Sequence, residues 1–300
     1  MKKLFAILLA LTMVVALAAC GSKTTDETTT TEPEVTEEIT EEVVTDEVTE
    51  APTDADESTE APEESTEAPD ESKEDASETE TEEATEAPKA PQTKEEIVAY
   101  FNEASNKIKT DAKSVTRNSS KISLAGSTQL PGWVNTVARV VGGADAFIDD
   151  QLTKNSKGSE TFTGAQIKAT YPVEGESYAS KLTAADVKSA TCTEKDGKYT
   201  ITIVTVADAT SQNAAHGQGH APKAFNVPLP ATINENVPGF AKNMIGGTAA
   251  MEYPSSTFKI VVDAKTGHVE SANSDLYWTI HFGTDTTLPF RTQDSWTIKY

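Results

Sequence analysis

The chain has 300 residues, and its 48 acidic and 25 basic side chains give a formal net charge of −23. The acidity is uneven, because residues 21–93 contain 27 Asp or Glu and 3 Lys, whereas residues 94–300 contain 21 Asp or Glu and 20 Lys or Arg. A nearly neutral C-terminal part without a basic surplus excludes nucleic acid as an expected partner, since nucleic-acid binding needs a basic face.

The first 19 residues have the pattern of an export signal. Lys2 and Lys3 precede an almost unbroken apolar run over residues 4–17. This run is shorter than the roughly 20 apolar residues that span a bilayer, and it has the length of a signal-peptide core. We therefore expect residues 1–19 to be a signal peptide of an exported bacterial protein.

The apolar run ends in Leu17-Ala18-Ala19-Cys20, which resembles the lipobox of bacterial lipoproteins. The resemblance implies a diacylglyceryl group on the Cys20 thiol, cleavage before Cys20 and attachment to the extracytoplasmic face of the cell membrane. Each buried methylene of an acyl chain contributes about 0.8 kcal/mol, so two or more chains hold a protein firmly. The alternative is an ordinary secretory signal in which the cysteine is incidental.

Residues 20–93 have the composition of a disordered linker. They consist mainly of Thr, Glu, Ala, Pro, Ser and Asp, and the tetrad Thr-Glu-Ala-Pro begins at Thr49, Thr59, Thr66 and Thr85. Too little apolar surface is present to offset the conformational entropy that folding would remove. We expect a spacer that carries a single domain, residues 94–300, away from the membrane; capture of cations or basic partners by the acidic run is the alternative.

The domain is predicted to open with two helical segments and a strand. Thr93 and Glu96 form a capping-box pattern before a helix over residues 94–113. Residues 115–124 alternate as a strand does. A second amphipathic helix is predicted over residues 131–152, although Gly142-Gly143 weakens its middle.

Antiparallel strands follow. Residues 187–206 predict a hairpin around an Asp196-Gly197 turn, with one apolar face and one face of threonines: Thr191, Thr193, Thr200 and Thr202. A second hairpin is predicted over residues 258–282 and a terminal strand over residues 296–300. Residues 207–257 are expected to form a loop with one short helix at 233–245.

This order of elements predicts an α+β fold with the N-terminal helices packed on one face of an antiparallel sheet. The plan resembles Firmicutes cell-surface lipoproteins of unassigned function and, more loosely, the LolA and mycobacterial lipoprotein fold. That resemblance implies a curved sheet whose concave face binds acyl chains. The candidate lining of an apolar cavity is Trp133, Phe147, Trp278 and Phe282; the alternative is that these four side chains fill the core.

Few residue patterns suggest chemistry. Cys192 is the one cysteine besides Cys20, so no intrachain disulfide is expected in the lipidated chain, and its hairpin position predicts a buried structural thiol. His216 and His220 are flanked by glycines, which favours a flexible loop over a metal site. Three carboxylates, Asp145, Asp149 and Asp150, are expected on a solvated helix face. No metal ion or other cofactor is predicted.

The sequence therefore predicts a non-enzymatic, lipid-anchored surface protein that binds a ligand or an envelope component. In its sharper form the ligand is an apolar molecule in the sheet concavity. A structural or adhesive surface module is the second interpretation. An enzyme is the third, and a cleft that gathers His216, His220 and a carboxylate such as Asp208 would favour it.

Overall fold

The computed structural model describes residues 89–237, 242 and 246–300. The predicted signal peptide, the lipidation site Cys20 and the acidic linker up to residue 88 lie outside the described residues. Within the described part, no helix has both the length and the apolar character needed to cross a membrane.

The first helix, α1 (Lys94–Asp111), begins where the sequence predicts and ends two residues earlier. The Thr93 hydroxyl accepts a hydrogen bond from the Glu96 backbone N–H at 3.2 Å, and the Glu96 carboxylate accepts one from the Thr93 N–H at 3.0 Å. These reciprocal bonds form the predicted capping box. The apolar face of α1 is buried, including Phe101 and Ile108.

The described chain contains one open antiparallel sheet of nine strands, in the main order β2-β1-β9-β8-β7-β4-β3, with β6 pairing β8 and β5 pairing β6. The strands are β1 (Ser114–Leu124), β2 (Glu160–Thr163), β3 (Val187–Lys195), β4 (Lys198–Thr205), β5 (Asp208–Ser211), β6 (Ala249–Tyr253), β7 (Thr257–Asp263), β8 (Val269–Phe282) and β9 (Thr286–Lys299). The sheet is curved, and the predicted α+β class is confirmed.

The predicted hairpins are confirmed. In the first, Glu194 pairs with Tyr199 and Cys192 with Ile201, as the two-residue turn requires. Asp196 and Gly197 both adopt positive φ, at 52° and 70°, which is the geometry of a type I′ turn. The second hairpin joins β7 to β8.

The predicted helix over residues 131–152 is wrong in its middle. The chain forms α2 (Gly132–Ala138), a 3-10 turn at Arg139–Val141 and a separate helix α3 (Ala144–Asn155). Gly142 and Gly143 adopt φ of 88° and 104°, a backbone that cannot continue a right-handed helix. The glycine pair is therefore a break between two helices.

The prediction for residues 207–257 also needs correction. Two strands, β5 and β6, occupy what was expected to be loop. The predicted helix at 233–245 overlaps α5 (Pro230–Asn236), and its residues 238–241 and 243–245 lie outside the described residues. In β6 the side chains of Ala249, Met251 and Tyr253 are buried in alternation because the strand pairs with β8. A further helix, α4 (Ala165–Thr170), follows β2.

Helix α1 packs on the inner face of the sheet, where it contacts β3, β4 and β8. The Phe101 ring meets Phe258 of β7 edge-on, with centroids 5.5 Å apart. A polar stripe of α1, formed by Asn102, Asn106 and Lys109, holds the irregular segment 168–182 against the domain. The amide of Asn106, for example, accepts the Ala179 N–H at 2.7 Å and donates to the Ser180 carbonyl at 3.0 Å.

Candidate functional site

Strand β9 carries a carboxylate on the inner face of the sheet. Its inward positions are occupied mainly by buried side chains such as Leu288, Phe290, Trp296 and Ile298, and Asp294 falls in the same alternation. A carboxylate among apolar neighbours is costly unless it is paired, so its surroundings decide whether it is structural or functional.

A polar row crosses the inner face at Asp294. Ser120 of β1 and Ser274 of β8 are its direct cross-strand neighbours, and Lys157 pairs with Ser120 on the far side. The Ser274 hydroxyl donates to Asp294 Oδ2 at 3.3 Å. On β7 the row continues with the apolar Phe258. The inner face is therefore polar towards β1 and apolar towards β7.

Arg117 lies one row away and pairs with Trp296. Its guanidinium donates to the Glu160 carboxylate at 2.5 Å and stands 5.3 Å from the centroid of the Phe162 ring. The ring of Tyr171 meets Trp296 edge-on, with centroids 5.5 Å apart. The rings of Phe162 and Trp296 therefore both lie against the guanidinium.

Polar atoms at this place lack partners. Among the described residues, the buried side-chain atoms without a hydrogen bond include Asp294 Oδ1, Arg117 Nε, Trp296 Nε1 and Tyr171 Oη. Buried polar groups in proteins nearly always form hydrogen bonds, to protein, water or a ligand. Four atoms without a hydrogen bond on neighbouring side chains therefore require an explanation. We call the group Arg117, Tyr171, Glu174, Asp294 and Trp296 the polar recess.

Glu174 reaches the polar recess from the segment after α4. The Asn226 side chain donates to Glu174 Oε1 at 3.0 Å and accepts the Glu174 backbone N–H at 2.7 Å. Lys109 of α1 fixes the same segment, because its ammonium donates to the carbonyls of Val173 at 2.5 Å and Glu176 at 2.9 Å. The helix therefore determines where Glu174 lies.

The electrostatics favour a proton in the polar recess. Burial raises the pKa of Glu174 to about 8, with the Asp294 carboxylate adding to the rise and Lys157, Arg117 and Lys109 opposing it. Burial also raises the pKa of Asp294, against hydrogen bonds from Ser120 and Ser274 and the charges of Arg117 and Lys157. Recessed carboxyl groups with raised pKa values beside a specific charge partner are typical of functional sites.

The four aromatic residues proposed to line an apolar cavity lie in different environments. Trp278 and Phe282 have 0% exposure, and Trp278 stacks on Phe290 with centroids 4.3 Å apart. Phe147 is half-buried, whereas Trp133 on α2 is 39% exposed. An open cleft of about 460 Å³ lies elsewhere, between residues 89–92 and α1, and includes Tyr100 in its lining.

The two loop histidines lie in different surroundings. The ring of His220 contacts the Asp186 carboxylate at 2.8 Å, and Asp208 accepts the backbone N–H of His220 at 2.7 Å. Burial lowers the pKa of His216, which is near the charges of Glu176 and Lys109. His220 and Asp208 are neighbours, but the contact is through the backbone.

The cysteine and the three aspartates considered in the sequence analysis lie apart from the polar recess. Cys192 is a free thiol, half-buried against the core, and burial raises its pKa. Asp145 accepts the Thr128 N–H at 3.1 Å, and Asp150 pairs with Lys154 one turn later. Asp149 is exposed. In the described ranges no three His, Cys, Asp or Glu side chains are grouped as a metal site would need.

The sequence interpretation missed the polar recess, although one signal was present. In the run from Leu288 to Ile298, every second residue points inward, and Asp294 is the one charged member of that series. A charged residue at an inward strand position marks a site worth testing. Nothing local indicated Glu174, because its place depends on the long-range bonds from Asn226 and Lys109.

The comparisons with known proteins give no relatives: no protein-family model matches the chain, and neither a curated protein nor a solved structure is significantly similar to it. The resemblance to surface lipoproteins and to the LolA fold therefore stays a prediction.

Proposed function

We propose that this chain is a non-enzymatic, lipid-anchored protein of the extracytoplasmic face of the cell membrane and that it binds a small polar molecule in the polar recess. The single observation that carries the proposal is the group of unpartnered buried atoms on Arg117, Tyr171, Asp294 and Trp296. Anchoring at Cys20 is inferred from the lipobox.

The chemistry of these atoms defines the ligand. Arg117 Nε and Trp296 Nε1 are donors, Tyr171 Oη can donate or accept, and Asp294 Oδ1 is an acceptor when ionised. A molecule that both donates and accepts hydrogen bonds matches these atoms in chemistry, whereas an acyl chain bonds to none of them and leaves their desolvation uncompensated. A polar ligand is therefore favoured over the apolar one.

A thermal-shift screen of the full chain against neutral sugars, amino acids and small dicarboxylates tests this function. We expect at least one class to raise the melting temperature, because a ligand that binds only the folded state stabilises it. The Asp294→Asn variant should lose that rise. Asp275→Asn, the same change at a carboxylate that pairs with Arg291 on the outer face, should keep it. No rise with any class, or an equal rise in both variants, would count against the polar recess.

A structural or adhesive module is the second candidate function. The observation that favours it is the exposure of two large apolar side chains close together in sequence, Trp133 at 39% and Val140 at 80%. Adhesion through these side chains predicts that Trp133→Ser abolishes attachment of the chain to its surface partner while the thermal-shift response is unchanged.

A further inference from the structure

The outer face of the sheet has an unusual composition along two cross-strand rows. The first row crosses seven strands from β2 to β3 and consists of Thr161, Thr116, Thr297, Ser271, Val261, Thr200 and Thr193. The second crosses six strands from β1 to β3 and consists of Ser119, Ser295, Asn273, Lys259, Thr202 and Thr191. We call these thirteen residues the hydroxyl face.

The hydroxyl face is accessible and regular. All of its side chains are exposed or half-buried. Neighbouring strands are about 4.8 Å apart, so the first row presents side chains at a nearly constant interval over a width on the order of 30 Å, with hydroxyl groups on every strand except at Val261. In the second row Asn273 and Lys259 separate the hydroxyl groups of β9 and β4. Some hydroxyls already bond one another, as Thr116 and Thr161 do at 2.8 Å.

Charge is depleted on the hydroxyl face and concentrated at its rim. Lys259 is the one charged residue of the thirteen, whereas 41 of the 207 residues in 94–300 are charged (21 acidic and 20 basic). The flanking positions carry ion pairs, Lys198 with Glu270 on one side and Arg291 with Asp275 on the other. Depletion of charge inside a charged rim is typical of a contact surface.

The chemistry of the hydroxyl face selects among partners. Protein interfaces are enriched in aromatic residues, Met and Arg, and these rows contain none. An anionic membrane or a nucleic acid requires a basic patch, which one Lys does not provide. Ser and Thr hydroxyls and the Asn amide both donate and accept, which matches a partner that is itself neutral and covered with hydroxyl groups.

We propose that the hydroxyl face is a docking surface for a neutral polysaccharide. The polysaccharide lies across the strands and forms hydrogen bonds with the Thr and Ser side chains of the two rows. The surface is on the side of the sheet opposite the polar recess. The inference therefore goes beyond the proposed function and does not depend on a ligand in the recess.

Co-sedimentation of the full chain with insoluble neutral polysaccharides, chitin and cellulose, tests the proposal. We expect the wild-type chain to pellet with at least one of them, and the double variant Ser271→Glu/Asn273→Glu to lose at least five-fold of the bound fraction, because it places two carboxylates at the centre of the face. Ser123→Glu is the matched control, since it adds one carboxylate on the same side of the sheet, outside both rows, and should bind normally.

Circular dichroism and the melting temperature verify that the double variant is folded. If it is not folded, Thr191→Glu, on the exposed edge strand β3, replaces it, with a smaller expected loss of binding.

Absence of binding to both polysaccharides would overturn the proposal, as would equal binding by the wild type and the charged variants. A dimer that the double variant abolishes would identify a second copy of the chain as the occupant. Asp294→Asn should leave co-sedimentation unchanged, which separates this surface from the polar recess.

Discussion

Glu174 shows how a single side chain acquires an unusual chemistry from its surroundings. Its carboxyl is removed from water, faces a second carboxyl at Asp294 and is held by the Asn226 amide. Each of these contacts is long-range in sequence. The fold therefore favours the protonated form of the Glu174 carboxyl.

The first prediction concerns pH. Because the pKa of Glu174 rises from 4.5 to about 8 on folding, its contribution to the free energy of unfolding is fully present below pH 4.5 and is lost as the pH rises through 8. We expect Glu174→Gln, which cannot ionise, to lose less stability between pH 4.5 and 8 than the wild type does. The difference between the two should be roughly 1–4 kcal/mol.

Urea denaturation at a series of pH values measures this difference. Asp294, whose pKa is also raised, contributes with the same sign and leaves a residual slope in the variant, and His216, whose pKa is lowered, contributes with the opposite sign. Glu194→Gln, at an exposed position on β3, is the control and should retain the wild-type slope. Identical slopes for wild type and Glu174→Gln would show that the carboxyl ionises normally.

At the scale of elements, α1 does more than cover the sheet. Its apolar side packs on the inner face, and its polar stripe of Asn102, Asn106 and Lys109 binds the backbone of residues 168–182. That segment contains little regular structure after α4, so side chains of the helix supply the bonds that a strand would otherwise receive. The position of Glu174 follows from this arrangement.

The second prediction tests the polar stripe. Asn106→Ala removes the acceptor for two backbone N–H groups, of Ala179 and Ser180, and the donor to the Ser180 carbonyl. Since each buried group left unbonded costs about 1–3 kcal/mol, we expect a loss of roughly 2–4 kcal/mol in urea denaturation. Asn236→Ala, at an exposed position with one local bond, should cost less than about 0.5 kcal/mol. Comparable losses in the two variants would contradict the role given to the stripe.

The third prediction concerns the β3–β4 turn. Gly197 has a φ of 70°, and a β-branched side chain there is strained, so Gly197→Val should destabilise the domain by about 1–2 kcal/mol in thermal or urea unfolding. Gly158→Val is the matched control, because a Cβ at that exposed position meets open space. If both variants unfold alike, the positive φ at Gly197 does not exclude a β-branched side chain.

Local patterns explain which elements were predictable. The capping box at Thr93, the Asp196-Gly197 turn and the hairpin over residues 258–282 each depend on residues close in sequence, and the structure confirms them. The break at Gly142-Gly143 was visible as a weakness but not as a boundary. Strands β5 and β6 were missed because short strands in a proline-rich segment are stabilised by pairing with distant partners, and the polar recess was missed for the same reason.

At the scale of the whole molecule, the sheet presents two chemically different faces. The inner face is apolar where α1 covers it and polar around Asp294, whereas the outer face carries the two cross-strand rows of the hydroxyl face. The residues before 89 hold nearly all of the excess negative charge. The nearly neutral domain, together with the anchor that we propose at Cys20, would suit contacts with neutral or small partners outside the cell membrane.

The fourth prediction concerns the anchor. Cys20→Ser removes the thiol that the lipobox would modify, so we expect the variant to move from the membrane fraction to the soluble or secreted fraction of the producing cells. Cys192→Ser is the control and should remain in the membrane fraction, because its thiol lies on the sheet. Retention of Cys20→Ser in the membrane fraction would refute lipid attachment at this residue.

The central claim, that the polar recess holds a small polar molecule, is tested most directly by native mass spectrometry of the full chain after exposure to a hydrophilic extract of bacterial culture. The account predicts one added small mass on the wild-type chain, released on denaturation and absent from Asp294→Asn but present on Asp275→Asn. A wild-type chain that keeps its bare mass, or an adduct retained equally by Asp294→Asn, would contradict the claim.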